Sequence, residues 1–344
     1  DRFHLSMNNR KVFTVKRPTI ADVAAKAGVS RSTVSYALSN KRPISEETRL
    51  RIQQAIEELG YRPNAAAKRL ASRERSRNIG FVLPLITPEM TGLEMKFISG
   101  ASGAINQADY TFILLAHSDR SPENLLRFAE SGLVDGFILM EVFMQDDRVD
   151  MLRKEGIPFV LIGRCADNSG LTYVDVDIYY AMDRSFSHLT TAGHQTIAYL
   201  YKDDDQYGFS VRALREYQTA CDRYKTPPLL QPCGLSPEEG EAAMNGLLDQ
   251  HPDVTAAIVW SDIPTVGAVQ ALQTHGRQIP DDFSIICQEH SIISNLASFV
   301  PAVIDIRADE MAAQAAEFMI DLLEGQPIEQ PQLLFPPKLV LGDK

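Results

Sequence analysis

Thr19-Ile-Ala-Asp-Val-Ala-Ala-Lys-Ala-Gly-Val-Ser30, running on into Arg31-Ser-Thr-Val-Ser-Tyr-Ala-Leu38, is the stretch that decides how this 344-residue chain is read. Thr19 can cap the first amides of a helix, Asp22 complements its positive end, and Ile20, Val23 and Ala24 fall at the i, i+3, i+4 spacing of one buried face. Gly28 stops that helix after two turns. Ser30 can cap a second helix whose apolar face is Val34, Ala37 and Leu38, leaving Arg31, Ser32, Ser35 and Tyr36 pointing outward. Two short helices joined by a glycine turn make a helix-turn-helix pattern. A third helix is expected from the cap Ser45 through Leu50, Ile52, Ala55, Ile56 and Leu59 to Gly60, closing a small core.

Charge separates this module from the rest. Residues 1–78 carry 17 Lys+Arg against 7 Asp+Glu, so the remainder holds 17 basic and 38 acidic residues, and +10 on one side faces −21 on the other. A basic module on an acidic body approaches a polyanion with one end only. Residues 1–17 show no hydrophobic periodicity and read as a flexible leader. Pro63-Asn-Ala-Ala-Ala-Lys-Arg-Leu-Ala71 is alanine-rich but only about two turns long, too short for an isolated helix in water, so it orders only against a partner.

From Ile79 onward, apolar runs alternate with helical patterns: Ile79–Leu85, Thr111–Ala116, Gly136–Met140, Pro158–Ile162, Ile197–Tyr201, Ala256–Trp260 and Ser284–Cys287. Continuously apolar strands separated by helices imply parallel α/β sheets. The runs fall into groups before Asp177 and after Ala181, which fits two doubly wound subdomains with a crevice at the strands' C-terminal ends. No run approaches the ~18 apolar residues of a membrane helix, and no secretory signal opens the chain. Cytoplasmic location is expected. Cys165, Cys221, Cys233 and Cys287 lie far apart with no Cys-x-x-Cys pair, which points neither to a disulfide framework nor to a metal site.

Candidate ligand residues follow from the strand ends. His117 and Asp119 come after the second run, Glu141 after the third, Arg164 after the fourth, and Ser261, Asp262 and Glu289 after the later ones. Carboxylates accepting paired hydroxyl hydrogens beside a guanidinium fork suit a polyhydroxylated ligand. Trp260, the only tryptophan, is placed either to stack on a sugar face or to pack. Asp175 and Asp177 stay open between pocket and crossover, and His194 reads as a hydrogen-bonding residue at a helix end. No Walker loop, His-Glu-x-x-His or Gly-x-Ser-x-Gly elbow appears, and Gly100-Ala-Ser-Gly103 lacks the strand and third glycine of a dinucleotide turn. No catalytic site and no cofactor are therefore expected. The competing readings are a sugar-modifying α/β enzyme and a sugar-binding module with a basic arm.

Thr19 to Ser30, Thr33-Val-Ser35, Ser45-Glu-Glu-Thr-Arg49 and Leu59-Gly-Tyr-Arg-Pro-Asn64 together resemble the lactose/galactose-repressor (LacI/GalR) family. Gly193-His-Gln-Thr-Ile-Ala198, Ser261-Asp262 with Gly267, Ile279-Pro-Asp-Asp-Phe-Ser284 and Phe299-Val-Pro301 extend the resemblance over roughly 18–344. It implies a helix-turn-helix domain (18–61), a hinge helix and connector (62–77) and a periplasmic-binding-protein-like effector and dimerisation body (78–344). The body's first subdomain would span about 78–177 and 306–326, and its second about 178–305 and 327–344. The resemblance further implies that Arg31, Ser32 and Tyr36 read bases in the major groove, a chemistry these side chains permit. Thr19, Thr33, Asn40 and Arg42 are placed for phosphate contacts. Lys68, Arg69 and a wedging Leu70 would enter the minor groove. In the pocket, Glu289 stands where relatives carry Asp. The family's sugar-contacting arginine position is Ala213, so Arg212 beside it is the candidate substitute.

The resemblance thus implies a transcriptional regulator, most plainly a repressor. It would bind a near-palindromic double-stranded operator as a homodimer and answer to a small-molecule effector, a sugar. No leucine heptads follow the body, so no coiled-coil tetramer is expected.

Overall fold

A computed structural model describes residues 18–39, 42–61, 75–84, 90–117, 120–288 and 301–342. It divides into two compact units, Asp1–Glu74 and Arg75–Lys344. The leader 1–17, Asn40, the hinge residues Lys68, Arg69 and Leu70, and the pocket candidates Asp119 and Glu289 lie outside the described residues, as does the His117 side chain.

Local signals set the helices of the first unit. In α1 (Ile20–Ala27) the Asp22 carboxylate accepts hydrogen bonds from the Thr19 amide and hydroxyl, both at 2.7 Å. Gly28 ends the helix in the left-handed region at φ 65°, which costs a glycine no steric strain. In α2 (Arg31–Ser39) the Thr33 amide donates to Ser30 Oγ at 3.1 Å. In α3 (Glu46–Leu59) the Thr48 amide donates to Ser45 Oγ at 3.3 Å, and Gly60 closes the end at φ 60°. Val23, Ala24, Ala27, Val34, Ile52 and Ala55 are the buried core of this unit. Leu50 is not part of it. It is 54% exposed, because two residues along a helix turn it about 200° away from Ile52.

The second unit contains two sheets. In the first, β1 (Asn78–Pro84), β2 (Thr111–His117), β3 (Gly136–Leu139), β4 (Phe159–Ile162), β5 (Tyr173–Val176) and β11 (Gln332–Phe335) lie in the order β11-β5-β4-β3-β1-β2, all parallel. The second holds β6 (Ile197–Tyr201), β7 (Pro228–Pro232), β8 (Ala256–Val259), β9 (Ser284–Cys287), β10 (Ala302–Asp305) and β12 (Lys338–Val340) in the order β12-β10-β9-β8-β6-β7. Only β12 runs antiparallel there. The central strands are apolar throughout because helices cover both faces of each sheet.

These helices are α4 (Gly92–Gln107), α5 (Pro122–Glu130), α6 (Asp147–Glu155), α7 (Ile178–Thr191), α8 (Gly208–Tyr224), α9 (Pro237–Gln250), α10 (Asp262–Thr274) and α11 (Ala308–Glu324). The Gly100 motif lies inside α4. A Cβ on Gly100 would stand 2.0 Å from the Asp309 carbonyl oxygen, so the glycine lets α4 and α11 touch backbone to backbone rather than binding a phosphate.

The chain passes between the sheets at β5–α7, β10–α11 and β11–β12. The last crossing corrects the expected return to the second subdomain at 327. β11 pairs in parallel with β5, Gln332 opposite Tyr173 through Phe335 opposite Val176, so the first subdomain runs on to Phe335. Short edge strands such as β11 and β12, half exposed and flanked by proline, carry apolar runs of only three residues, Leu333–Phe335 and Leu339–Leu341, too short to stand out.

Candidate functional site

In the first unit, α2 turns Arg31, Ser32 and Ser35 outward as expected, whereas Tyr36 is half-buried. Arg31 and Ser32 are exposed while Val34 points into the core. Ser30 Oγ binds Ser32 Oγ at 2.7 Å and Thr33 Oγ1 at 2.8 Å, so the three hydroxyls form one cluster at the helix start. The Arg42 guanidinium lies 5.0 Å from the Tyr36 ring centroid, within cation–π range. Thr19 is exposed and Thr33 half-buried. Polar side chains thus cover one helix face backed by an apolar core.

In the second unit, each sheet reverses its strand order, between β1 and β3 in the first and between β6 and β8 in the second. Ligands bind doubly wound sheets in the crevice at such a reversal, beyond the strands' carboxyl ends. Glu141 follows β3, Lys202 follows β6, and Trp260, Ser261 and Asp262 follow β8. They line two adjoining cavities of about 80 and 60 Å³ that share Leu93, Glu94, Glu141 and Tyr207. Arg164 and Asp175 stand in the first cavity, Lys202, Trp260, Ser261 and Asp262 in the second.

Glu141 is the centre of this cleft. Its backbone is left-handed at φ 52°, a strained state for a non-glycine residue that must be held by its surroundings. Two arginines hold it. Arg120 Nη2 donates to the Glu141 carbonyl oxygen, and Arg148 Nη2 donates to the Met140 and Glu141 carbonyl oxygens at 3.1 Å each. Both arginines are anchored on Asp146. Arg148 grips it in a fork (Nε–Oδ1 2.8 Å, Nη2–Oδ2 2.7 Å), and Arg120 reaches Oδ2 at 2.9 Å while stacking 3.6 Å from the Phe143 ring centroid. Burial opposes ionisation of Asp146, yet the hydrogen bonds and charge of Arg148, with the Phe143 amide and Arg120, hold its carboxyl below its ordinary value. Burial instead pushes the Glu141 carboxyl up, against the pull of Lys202, the Tyr207 hydroxyl and Arg120.

The two subdomains meet across this site. Tyr207 Oη donates to Glu141 Oε1 at 3.1 Å, the Gly208 amide to the Val142 carbonyl at 3.0 Å, and the Met144 amide to the Gln206 carbonyl at 2.7 Å. A Cβ on Gly208 would lie 2.7 Å from the Arg164 carbonyl oxygen and 3.0 Å from that of Val142; only glycine fits this seam. Arg212 belongs to the seam and not to the pocket. Its Nη2 donates to the carbonyl oxygens of Arg164 (2.8 Å) and Cys165 (2.7 Å), and it lines neither cavity. Those carbonyls, rather than a ligand, satisfy it. Arg164 itself pairs through Nε with Asp175 Oδ2 at 2.7 Å, which assigns Asp175 to the pocket.

Trp260 is 94% buried and its Nε1 donates to the Cys233 carbonyl at 3.1 Å, which fixes the ring at the cavity wall. Ser261 and Asp262 are buried at the start of α10. His194 bridges Thr255 Oγ1 and Ser284 Oγ at 2.8 Å each, remote from the cleft. The four cysteines are buried free thiols. Glu94, Lys202, Tyr207 and Phe209 line the cleft without having been nominated from sequence. Lys202 had a usable signal, because it directly follows the apolar run Ile197–Tyr201. The others sit at helix starts and are brought in only by tertiary structure.

A three-helix basic unit and a two-sheet body with a polar cleft define a protein that combines a DNA-binding module with a sensor. Comparison with known proteins agrees. Residues 19–64 match the model of bacterial regulatory proteins of the lacI family, and residues 186–343 match a periplasmic-binding-protein-like domain. The transcriptional regulator AglR of Rhizobium meliloti (strain 1021) is 31% identical over 280 residues, covering 78% of this chain and 77% of AglR. The transcriptional regulator CelR of Thermobifida fusca is 28% identical over 339 residues, 95% of this chain and 98% of CelR. A solved complex of CelR with cellobiose, 26% identical, superposes with a TM-score of 0.69 over 95% of this chain and 99% of that one. The chain belongs to the LacI family: it is a DNA-binding transcriptional regulator and not an enzyme. Among the described residues, no helix is long and apolar enough to cross a membrane.

Proposed function

We propose that this regulator is a cytoplasmic repressor that binds a near-palindromic operator as a homodimer and is controlled by a sugar held in the cleft of the body. The observation that carries the effector reading is the set of carboxylates Glu94, Glu141, Asp175 and Asp262 converging with Arg164, Lys202 and the rings of Tyr207 and Trp260. Carboxylates accept pairs of sugar hydroxyls, and aromatic faces cover the apolar side of a pyranose. Among the described lining residues two cations oppose four acids, which disfavours a phosphorylated effector. On DNA, Arg31, Ser32 and Tyr36 read base edges, while Thr19, Thr33, Asn40 and Arg42 hold phosphates. Two-fold symmetry doubles the few contacts one short helix can make. Residues 62–77 form the hinge, in which Leu70 wedges into the minor groove beside Lys68 and Arg69.

Glu141 touches the opposite subdomain and its backbone is tied to the Arg120–Asp146–Arg148 cluster. A ligand that replaces the Tyr207 bond to Glu141 therefore shifts the seam between subdomains. A coupling of ~1–3 kcal/mol between sugar and operator suffices, and it is reciprocal.

The test is selection of bound duplexes from a random pool, followed by operator binding with and without a sugar panel. Enrichment of a palindrome whose binding one sugar alters supports the reading. Salt-sensitive binding without sequence enrichment overturns it, leaving only an electrostatic module.

A further inference from the structure

A small cavity of about 10 Å³ lies between β1 and the start of α5 and shares no lining residue with the cleft. Val82 and Pro84, on one face of β1, and Leu125 give it apolar walls, and the guanidinium groups of Arg120 and Arg148 give it charged ones. Arg148 is 1% exposed. Its Nε and Nη2 are taken by Asp146 and by the Met140 and Glu141 carbonyls. Its Nη1 is buried with no hydrogen-bond acceptor among the described residues, so one donor group of a buried cation is left to the cavity that Arg148 lines. Charge does not balance here. Arg120 and Arg148 share the single carboxylate of Asp146, and no acid lines the cavity. Burial and the charge of Arg148 pull the Arg120 guanidinium below its ordinary value, against the pull of Asp146 and Glu141. The remaining wall is the first turn of α5, presented through Ser121, Asn124 and Leu125. The Ser121 hydroxyl donates to Glu123 Oε2 at 2.6 Å and leaves the helix start without a side-chain cap, although the first amides of a helix have no partner within it.

We propose that this cavity binds one chloride ion, held by Arg148 Nη1 and Arg120 at the positive start of α5. Size restricts the occupant to a single atom, because one water-sized sphere already needs ~10–15 Å³; phosphate, sulfate and carboxylates are too large. Charge then selects a halide over water. A buried guanidinium donor gains most from an anionic acceptor, and an uncapped helix start favours negative charge. A water would need acceptors for its own hydrogens, but the walls are largely cations and hydrocarbon, and Asn124 Oδ1 already accepts from Arg127. The same two arginines hold the left-handed backbone of Glu141, so the ion neutralises the cluster that supports the cleft. The site is independent of which effector the cleft takes.

The experiment follows thermal unfolding of the full chain in sodium chloride, sodium bromide and sodium gluconate at equal ionic strength, which separates ion binding from screening. The body's transition should rise by a few degrees with chloride and level off as a binding isotherm requires, with bromide replacing chloride and gluconate having no effect. Asn124→Asp places a carboxylate in the first turn of α5, where the helix dipole favours it, and supplies the counter-charge covalently. Because Arg127 already bonds to this position, the readout is the chloride response and not the stability itself: the folded variant should lose the rise. Arg120→Gln, which removes the excess cation, should lose it as well. Crystals grown in bromide should show an anomalous peak within hydrogen-bond reach of Arg148 Nη1. Equal melting in chloride and gluconate overturns the site, and a bromide peak seen alongside it would be an adventitious ion only. An undiminished chloride response in folded Asn124→Asp, or bromide crystals with no peak in the cavity, overturns it equally.

Discussion

The basic unit and the acidic body are built by different kinds of information. In the unit around α2, caps, turns and the apolar stripe all lie within a few residues of the side chains they position, and the outward residues simply follow from the inward ones. In the body, the cleft joins Glu94, Glu141, Arg164, Lys202, Tyr207 and Asp262, which span most of two subdomains. A short sequence can specify a DNA-reading face. A ligand cleft exists only once two sheets have formed and their strands' carboxyl ends have been brought together.

The comparison is sharpest where a single substitution should disturb one region and spare the other. Asp146→Asn removes the anion shared by Arg120 and Arg148 in a pair whose side chains are 2% exposed. Breaking a buried pair costs about 3–5 kcal/mol, so the body's melting transition should fall while the basic unit keeps its own helicity. Differential scanning calorimetry with circular dichroism checks this, and an unchanged body transition would mean the pair adds nothing net. The same carboxyl sets a pH dependence. Its folded pKa is depressed, so its stabilisation is fully present above the ordinary aspartate value and is lost as pH falls through the lowered one. Acid titration of wild-type and Asp146→Asn should therefore show the stability gap closing below pH ~4.

Arg31→Ala comes next. It should cost ~1–3 kcal/mol of operator binding and relax one base position if the guanidinium reads a base, with the body's melting unaffected. Uniform loss over all operator variants would make it a phosphate contact. Tyr207→Phe deletes the 3.1 Å bond to Glu141 and should lower body stability by ~0.5–1.5 kcal/mol. Its larger signature should be a changed sugar response with sugar-free operator affinity preserved. Ser45→Ala removes the cap of α3 and should cost about 1 kcal/mol of the basic unit alone.

How much was legible follows the same division. The ends of α1 and α3 at Gly28 and Gly60, and the inward set Val23, Ala24 and Val34, could be read directly because helix periodicity and capping are local. Leu50 was misplaced only because its apolar character was followed where its helical angle points outward. The central strands announced themselves as apolar runs. β5 did not, because Asp175 interrupts it, and β7, between Pro228 and Pro232, and β11 at an edge show too little burial to leave a pattern. At the cleft, the strand-end rule located Glu141, Arg164, Ser261 and Asp262, and applied to β6 it would also have located Lys202. Arg212, nominated from the resemblance and not from a strand end, instead donates to the Arg164 and Cys165 carbonyls and lines neither cavity. No local signal could reveal Glu94 or Tyr207, since a helix-start residue faces a cleft only when the partner subdomain is present. Nor does sequence show that Glu141 adopts a left-handed backbone held by the buried Arg148 and the half-buried Arg120.

The most direct test of the account is the operator affinity of wild-type and Asp262→Ala protein, measured by fluorescence anisotropy with and without the sugar that the wild type recognises. The account predicts that the sugar shifts the wild-type Kd by several-fold or more, and that Asp262→Ala keeps the sugar-free Kd but loses the shift. An equal shift in both proteins, or loss of sugar-free operator binding in the variant, would contradict a body that senses at the cleft and a separate unit that reads DNA.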